Sequence, residues 1–289
     1  DIYEKLTRLD RPIGILLLLW PTLWGLWLSS NGSPNPFVAV IFVLGVVLMR
    51  SAGCVMNDFA DRNFDGHVER TRDRPLAAGK ISPREALALA AALAGLAFGL
   101  VLQLNLLTVK LSVIALLLAI IYPFLKRFFW LPQAWLGIAF GFGVPMAFAA
   151  HRDVVVPIAW AILLANIFWA IAYDTQYAMV DRDDDIKLRL KSSAILFGRH
   201  DVTAVLACYL LFIGMMIYIG YWARMGACYF FSLIVTCLLV AVEYPMFRSR
   251  QRDRCFKAFL FNNWIGAAIF AGIVADFIWY FQMFGGVPR

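Results

Sequence analysis

Charge is what this sequence has least of: 16% of its 289 residues are Asp, Glu, Lys or Arg, while 62% are apolar. Soluble domains carry about a quarter charged and half apolar residues, so an ordinary water-facing globule is excluded. Histidine is scarce too, and the three present do not gather: His67 and His200 read as loop positions and His151 as an outer-face residue. The five cysteines (Cys54, Cys208, Cys228, Cys237, Cys255) show no paired spacing, and four lie in or at the ends of apolar runs. There Cys behaves as a small hydrophobe, so neither a disulfide framework nor a zinc site is expected. No secretory signal with a cleavage site is legible, and a chain starting at Asp1 without Met is consistent with a missing short leader.

What the sequence has in abundance is long apolar runs. A bilayer core about 30 Å thick takes roughly 20 apolar residues per helix. Runs of that length recur at 13–30, 37–56, 86–104, 108–125, 131–150, 155–177, 202–221, 226–246 and 260–282. They are apolar all round, which a soluble helical core would not be. Only helices satisfy their own backbone within lipid for such sequences. The expectation is an all-α integral membrane protein with nine transmembrane helices, forming a single domain over 1–289 with cytoplasmic cap loops at about 57–84 and 181–201.

Basic residues set the orientation. With a cytoplasmic N-terminus, every Lys and Arg except Lys110, Arg152, Arg224 and Arg289 falls on the inner side. Such a bias in short loops fixes topology. The chain then has its C-terminus outside, and the net charge of +7 reflects one membrane face rather than a nucleic-acid partner. Most of the aromatic residues are expected to face lipid or the interface, with a few near a cavity.

The acids are concentrated in two inner stretches. One is Asn57-Asp58-Phe59-Ala60-Asp61-Arg62-Asn63-Phe64-Asp65; the other begins at Asp174 and Tyr177 and continues through Asp181-Arg182-Asp183-Asp184-Asp185. A helical continuation of the second run would put Asp58, Asp61 and Asp65 on one face, and Asp174, Tyr177, Asp181 and Asp185 share a helical face in the same way. Both runs cross the bilayer in the same direction, so both rows emerge on one side. If their helices are neighbours, the rows face each other across a cavity. Opposed carboxylates repel unless cations intervene, and hard oxygen donors suit Mg²⁺ bridging to phosphates. Nearby Lys and Arg would hold the remaining diphosphate oxygens. Solvated loop charge is the alternative for any one Asp; for Asp183 and Asp184, which leave the helical face, it is the reading adopted.

Arg50 lies two turns before Asn57, on the same face but deeper, in an otherwise small and apolar context. A charge at that depth faces the bundle interior. It either pairs with an acid or anchors an anionic co-substrate, and its guanidinium fits a carboxylate bidentately. Lys126 and Arg127 end the fourth run, where snorkelling to the membrane surface explains them equally well. Arg11, just before Pro12, is within reach of the same pocket.

With Asn57-Asp58-x-x-Asp61-x-x-x-Asp65 and Asp181-x-x-x-Asp185, this sequence resembles the UbiA superfamily of intramembrane prenyltransferases, and most closely its bacterial branch acting on 4-hydroxybenzoate. Supporting stretches are Asp10-Arg11-Pro12-Ile13-Gly14, Trp20-Pro21-Thr22, Arg50-Ser51-Ala52-Gly53-Cys54, Arg70-Thr71-x-x-Arg74-Pro75-Leu76 and Ala172-Tyr173-Asp174-Thr175-Gln176-Tyr177-Ala178. They extend over nearly the whole chain, and the acidic motifs show no departure from the family pattern. The resemblance implies a bacterial inner membrane and nine helices around a central cavity, capped by the two cytoplasmic loops and open sideways to lipid. It also implies Mg²⁺ and diphosphate ligands at Asn57, Asp61, Asp65, Asp181 and Asp185, diphosphate-binding cations at Arg62, Lys126 and Arg127, and a carboxylate anchor at Arg50. The implied reaction moves a polyprenyl group from polyprenyl diphosphate to C3 of 4-hydroxybenzoate, in ubiquinone synthesis. Another aromatic acceptor is the alternative within the family. A transporter is the rival from outside it, although transporters place polar sites near the midplane and these acids gather at one face. A CDP-alcohol phosphotransferase is a further rival, but its required residues after Asp65-Gly66 are absent.

Overall fold

The computed structural model describes residues 2–63, 65–67 and 71–284. Arg70 and Arg289, both named above, lie outside the described residues. All regular structure among the described residues is helical: α1 (Ile2–Thr7), α2 (Ile13–Ser29), α3 (Pro36–Asp61), α4 (Pro83–Val101), α5 (Leu106–Leu125), α6 (Pro132–Gly141), α7 (Gly143–Arg152), α8 (Pro157–Lys187), α9 (Ser193–Phe197), α10 (Asp201–Trp222), α11 (Ala227–Arg248) and α12 (Arg252–Phe284). Eight stretches are long and apolar enough to cross a membrane, with α6–α7 counted together, and α2 is a shorter apolar helix. Each of the nine predicted runs is therefore helical, the fifth as the pair α6 and α7.

Helix starts follow local chemistry. The Asn35 side chain accepts from Phe37 N, Ser82 from Glu85 N and Asn105 from Thr108 N, each satisfying a backbone donor that the first turn leaves open. Pro36 and Pro83 follow their caps, where no N–H is needed.

Four of the predicted runs need correction. The fifth run is two helices broken at Phe142: Pro145 has no N–H to give Gly141 O, and flanking glycines let the backbone reorient. The sixth run extends to Lys187 and the second to Asp61, well past their apolar segments. The cap loops therefore shorten to roughly 62–82 and 188–200. The ninth helix begins at Arg252 rather than 260. Hydropathy marks where lipid ends, whereas a helix continues as long as its backbone bonds and side chains permit.

Two groups of helices face each other. α3 packs on α2, α4 and α5, whereas α8 packs on α6, α10 and α12. The α6–α8 contact is close: a Cβ on Gly137 would lie 2.7 Å from Ile167 Cα, so only glycine permits it. Between α3 and α8 lies a cavity.

A minority of the aromatics is fully buried inside the bundle. Trp24, Trp169 and Phe212 are fully buried and stack together, with Trp169 and Phe212 5.7 Å apart and nearly parallel. Large flat side chains fill the space between helices efficiently. Lipid is met chiefly by aliphatic groups such as Leu96, Leu210 and Leu238, with Phe231 and Trp264 among them.

Candidate active site

The cavity has a volume of ≈ 400 Å³ and runs from the acid-bearing ends of α3 and α8 down between the helices. Asn57, Asp61 and Asp65 line one wall; Asp174, Tyr177, Asp181 and Asp185 line the other. Arg50, Lys126, Arg8, Arg11, Arg74 and Lys191 also reach its surface.

On the α3 wall, Lys126 donates to Asp61 Oδ2 at 2.5 Å, while Asp61 Oδ1 is buried without a partner. Asp65 does not continue the α3 helical face, because α3 ends at Asp61; a short 3-10 turn, Asp65–His67, brings it back instead. Arg74 then bridges Asp65 at 2.8 Å and Asp58 at 3.1 Å, and Arg8 pairs with Asp58 at 2.8 Å. Asp58 is thus an anchor for two cations and is absent from the cavity wall. Burial pushes the Asp65 carboxyl above its ordinary value, Arg74 opposes that rise, and Asp61 and Asp58 add to it.

Two sequence-based assignments fall elsewhere. Arg62 is exposed, donates to Phe59 O and lies over the Phe59 ring; Arg127 donates to Ala60 O and lies over Phe124. Neither lines the cavity. Arg62 follows the last residue of α3 and Arg127 lies in the turn beyond α5, so no continuous helical face carries either side chain to the cavity. Asp183 is exposed as expected. Asp184 is not solvated: its side chain is 13% exposed, 3.3 Å from Arg252 and 3.6 Å from Lys187.

Arg50 sits deep, with Phe140 beneath its guanidinium at 5.4 Å and its Nε buried without a partner. Gly14 makes room for it, since a Cβ there would lie 2.3 Å from Arg50 Nε. Tyr122, Gln133, Tyr173 and Ser192 share the cavity wall. Sequence reading singled out none of these four as site residues, nor did it single out Arg8, Arg74 or Lys191; single polar residues in loops or apolar runs carry no spacing to mark them.

The carboxylates of the two walls and the Asn57 amide offer oxygen, which fits Mg²⁺ rather than a softer ion, while Cys54 brings one thiol to the lining. The orphaned Asp61 Oδ1 is the kind of buried acceptor that a hard cation satisfies. Among the described residues no three His, Cys, Asp or Glu side chains converge closely enough to enclose an ion. Ions held here would be shared with a ligand's phosphate oxygens, as Mg²⁺ usually is.

A family model described as "UbiA prenyltransferase family" matches residues 18–281. The 4-hydroxybenzoate octaprenyltransferase of Nitrosomonas europaea is 60% identical over 274 residues, covering 95% of this chain and 94% of the relative. That of Azoarcus sp. is 60% identical over 277 residues, covering 96% of each. The apo structure of a UbiA homologue from Aeropyrum pernix K1 superposes with a TM-score of 0.80 at 29% identity, covering 91% of this chain and 97% of that one. A homologue from Archaeoglobus fulgidus, bound to GPP and Mg²⁺, shares the fold with a TM-score of 0.68 at 18% identity, covering 95% and 100%.

Proposed function

Because this chain belongs to the UbiA prenyltransferase family and is an integral membrane enzyme of that kind, we propose that it joins a polyprenyl chain to C3 of 4-hydroxybenzoate, in a Mg²⁺-dependent step of ubiquinone synthesis. The observation that carries this reading is the single cavity with Asn57, Asp61 and Asp65 on one wall, Asp181 and Asp185 on the other, and Arg50 at depth. The relatives named 4-hydroxybenzoate octaprenyltransferase, at about 60% identity over nearly their whole length, support the choice of acceptor. The GPP- and Mg²⁺-bound homologue supports the donor class and the metal.

Mg²⁺ held by Asn57, Asp61, Asp65, Asp181 and Asp185 would supply Lewis-acid stabilisation of a diphosphate leaving group. Lys126 over Asp61 and Arg74 over Asp65 add positive charge at the same wall. That charge offsets what gathers on the diphosphate as the allylic C–O bond breaks and its electron pair leaves with oxygen. Tyr177 and Phe259, 4.7 Å apart, present π-faces that favour the cationic carbon left behind. Arg50 holds the acceptor's carboxylate, so the ring carbon ortho to the hydroxyl is offered toward the acids. It forms the new C–C bond and gives up its proton to Asp181 or to the departing diphosphate. Arg62 and Arg127 have no part in this scheme, since neither lines the cavity.

The prenyl tail remains in the bilayer while its charged head enters the cavity. The distribution of basic residues supports a cytoplasmic N-terminus and cavity mouth and an outer C-terminus, and the bacterial relatives support residence in an inner membrane. Purified protein given one labelled prenyl diphosphate and a panel of aromatic acceptors tests the proposal. Transfer to 4-hydroxybenzoate should occur with Mg²⁺ and cease on chelation. Preference for an acceptor without a carboxylate, or transfer undiminished by chelator, would overturn it.

A further inference from the structure

The deep end of the cavity holds a second donor that its sequence neighbours give no reason to expect. Tyr173 is 1% exposed, lines the cavity, and its hydroxyl has no hydrogen-bond partner. A buried O–H left unpaired is costly, and native structures rarely tolerate one without a reason. Nor is this ring free to swing elsewhere: Trp169 meets it edge-on at 5.3 Å and Phe259 packs at 6.1 Å.

Its depth matches that of Arg50. Arg50 precedes Asn57 by seven residues and Tyr173 precedes Asp181 by eight. At 1.5 Å per residue Arg50 lies about 10 Å below Asn57 and Tyr173 about 12 Å below Asp181. A helical tyrosine also leans toward its helix N-terminus, here away from the acids. Arg50 and Asp174 are both within electrostatic reach of the Tyr173 hydroxyl. Arg50 Nε–H, which can only donate, is likewise buried and unpartnered. Two buried, unpartnered donors lining one cavity, beside Tyr122, Gln133 and Asp174, are the kind of pair that an anion with two acceptor oxygens satisfies.

We propose that Tyr173 is a specificity-determining residue that donates its hydroxyl proton to the acceptor's carboxylate beside Arg50. This rests on the acceptor reading above and sharpens it: a planar carboxylate gains one hydrogen bond from the guanidinium edge and another from the phenol. The ring is then fixed in rotation as well as position, which holds an ortho carbon toward the prenyl donor. A neutral amide or alcohol in place of the carboxylate would satisfy the pair less well.

Tyr173→Phe removes one oxygen and retains the ring packing. Steady-state transfer should show KM for 4-hydroxybenzoate raised roughly tenfold or more, as expected for a lost hydrogen bond to a charged group, with KM for the prenyl diphosphate unchanged. Inhibition by benzoate, which has the carboxylate but not the hydroxyl, should weaken by a similar factor. Preference for 4-hydroxybenzoate over 4-hydroxybenzamide should shrink. Unchanged acceptor KM in Tyr173→Phe, alongside a raised KM in Arg50→Ala, would overturn the role of Tyr173 and leave the acceptor reading standing. Weaker 4-hydroxybenzoate binding with unaltered benzoate inhibition would overturn it too, because the phenol would then be reading the other end. Wild-type protein indifferent to every carboxylated acceptor would instead sink the underlying reading.

Discussion

Tyr173 and Gln176 lie within one turn of each other on α8, both buried, yet their polar atoms have opposite fates. Gln176 faces away from the cavity into a network with Tyr209, Glu243 and Asn262, where Tyr209 Oη is 3.0 Å from Glu243 Oε1 and 2.8 Å from Asn262 Oδ1. Asn262 donates in turn to Gln176 Oε1 and Glu243 Oε1, and Trp169 Nε1 donates to Asn262 Oδ1 at 2.8 Å. All five residues are buried, and none has an orphaned side-chain atom among those identified. The cavity face differs. Of the six buried side-chain polar atoms without a partner among the described residues, four belong to cavity-lining residues: Arg50, Asp61, Tyr173 and Ser192. In a bilayer interior polar groups find partners or cost free energy. The satisfied face ties α8 to α10, α11 and α12, as interhelical hydrogen bonds do in membranes. The unsatisfied face is arranged for ligands.

This contrast predicts that cavity-side substitutions change catalysis and back-side substitutions change stability. Asp61→Ala or Asp181→Ala should give the largest effect, a loss in transfer rate of roughly a hundredfold to a thousandfold with thermal unfolding in detergent little altered. Near-normal turnover in either variant would break the assignment of that face. Arg50→Ala should raise acceptor KM by about a hundredfold, the loss expected for charge-assisted bonds, while Mg²⁺-dependent release of diphosphate from the prenyl donor persists. On the opposite face, Glu243→Ala leaves Tyr209, Gln176 and Asn262 short of a partner and should lower stability by about 1–3 kcal/mol. Glu243→Gln should recover most of it, and neither variant should shift acceptor KM; a KM effect without a melting shift would merge the two faces into one.

Gly14→Ala sharpens the comparison with the smallest effect. The added methyl meets the end of the Arg50 side chain rather than backbone. Stability should therefore hold while the displaced guanidinium raises acceptor KM a few-fold, roughly severalfold by comparison with full loss of the bond. An unchanged KM would mean that Arg50 reaches its ligand from another position.

Much of this was legible beforehand. All nine apolar runs are helical, the fifth as two helices, because a run of apolar residues has one way to satisfy its backbone in lipid. Asn57, Asp61, Asp181 and Asp185 were legible as wall residues because helical spacing survives intact along α3 and α8. Asp65 was placed correctly at the cavity but for the wrong reason, since a 3-10 turn and Arg74 return it there after α3 has ended. Arg62 and Arg127 show the limit: charge beside a motif says nothing about which way the side chain leaves the helix. Glu243 carried a signal that was passed over, as an acid in the middle of an apolar run is functional or paired by default.

Sequence alone therefore determined which runs become helices and the two acidic rows that could meet, because each depends on periodicity and transfer free energy along the chain. Only the tertiary structure decided which buried polar groups are satisfied by neighbours and which are left facing a cavity. That distinction depends on partners more than eighty residues away, as with Gln176 and Asn262, or on the missing side chain of Gly14 beneath Arg50. No local pattern encodes such meetings, because they arise when separate helices pack.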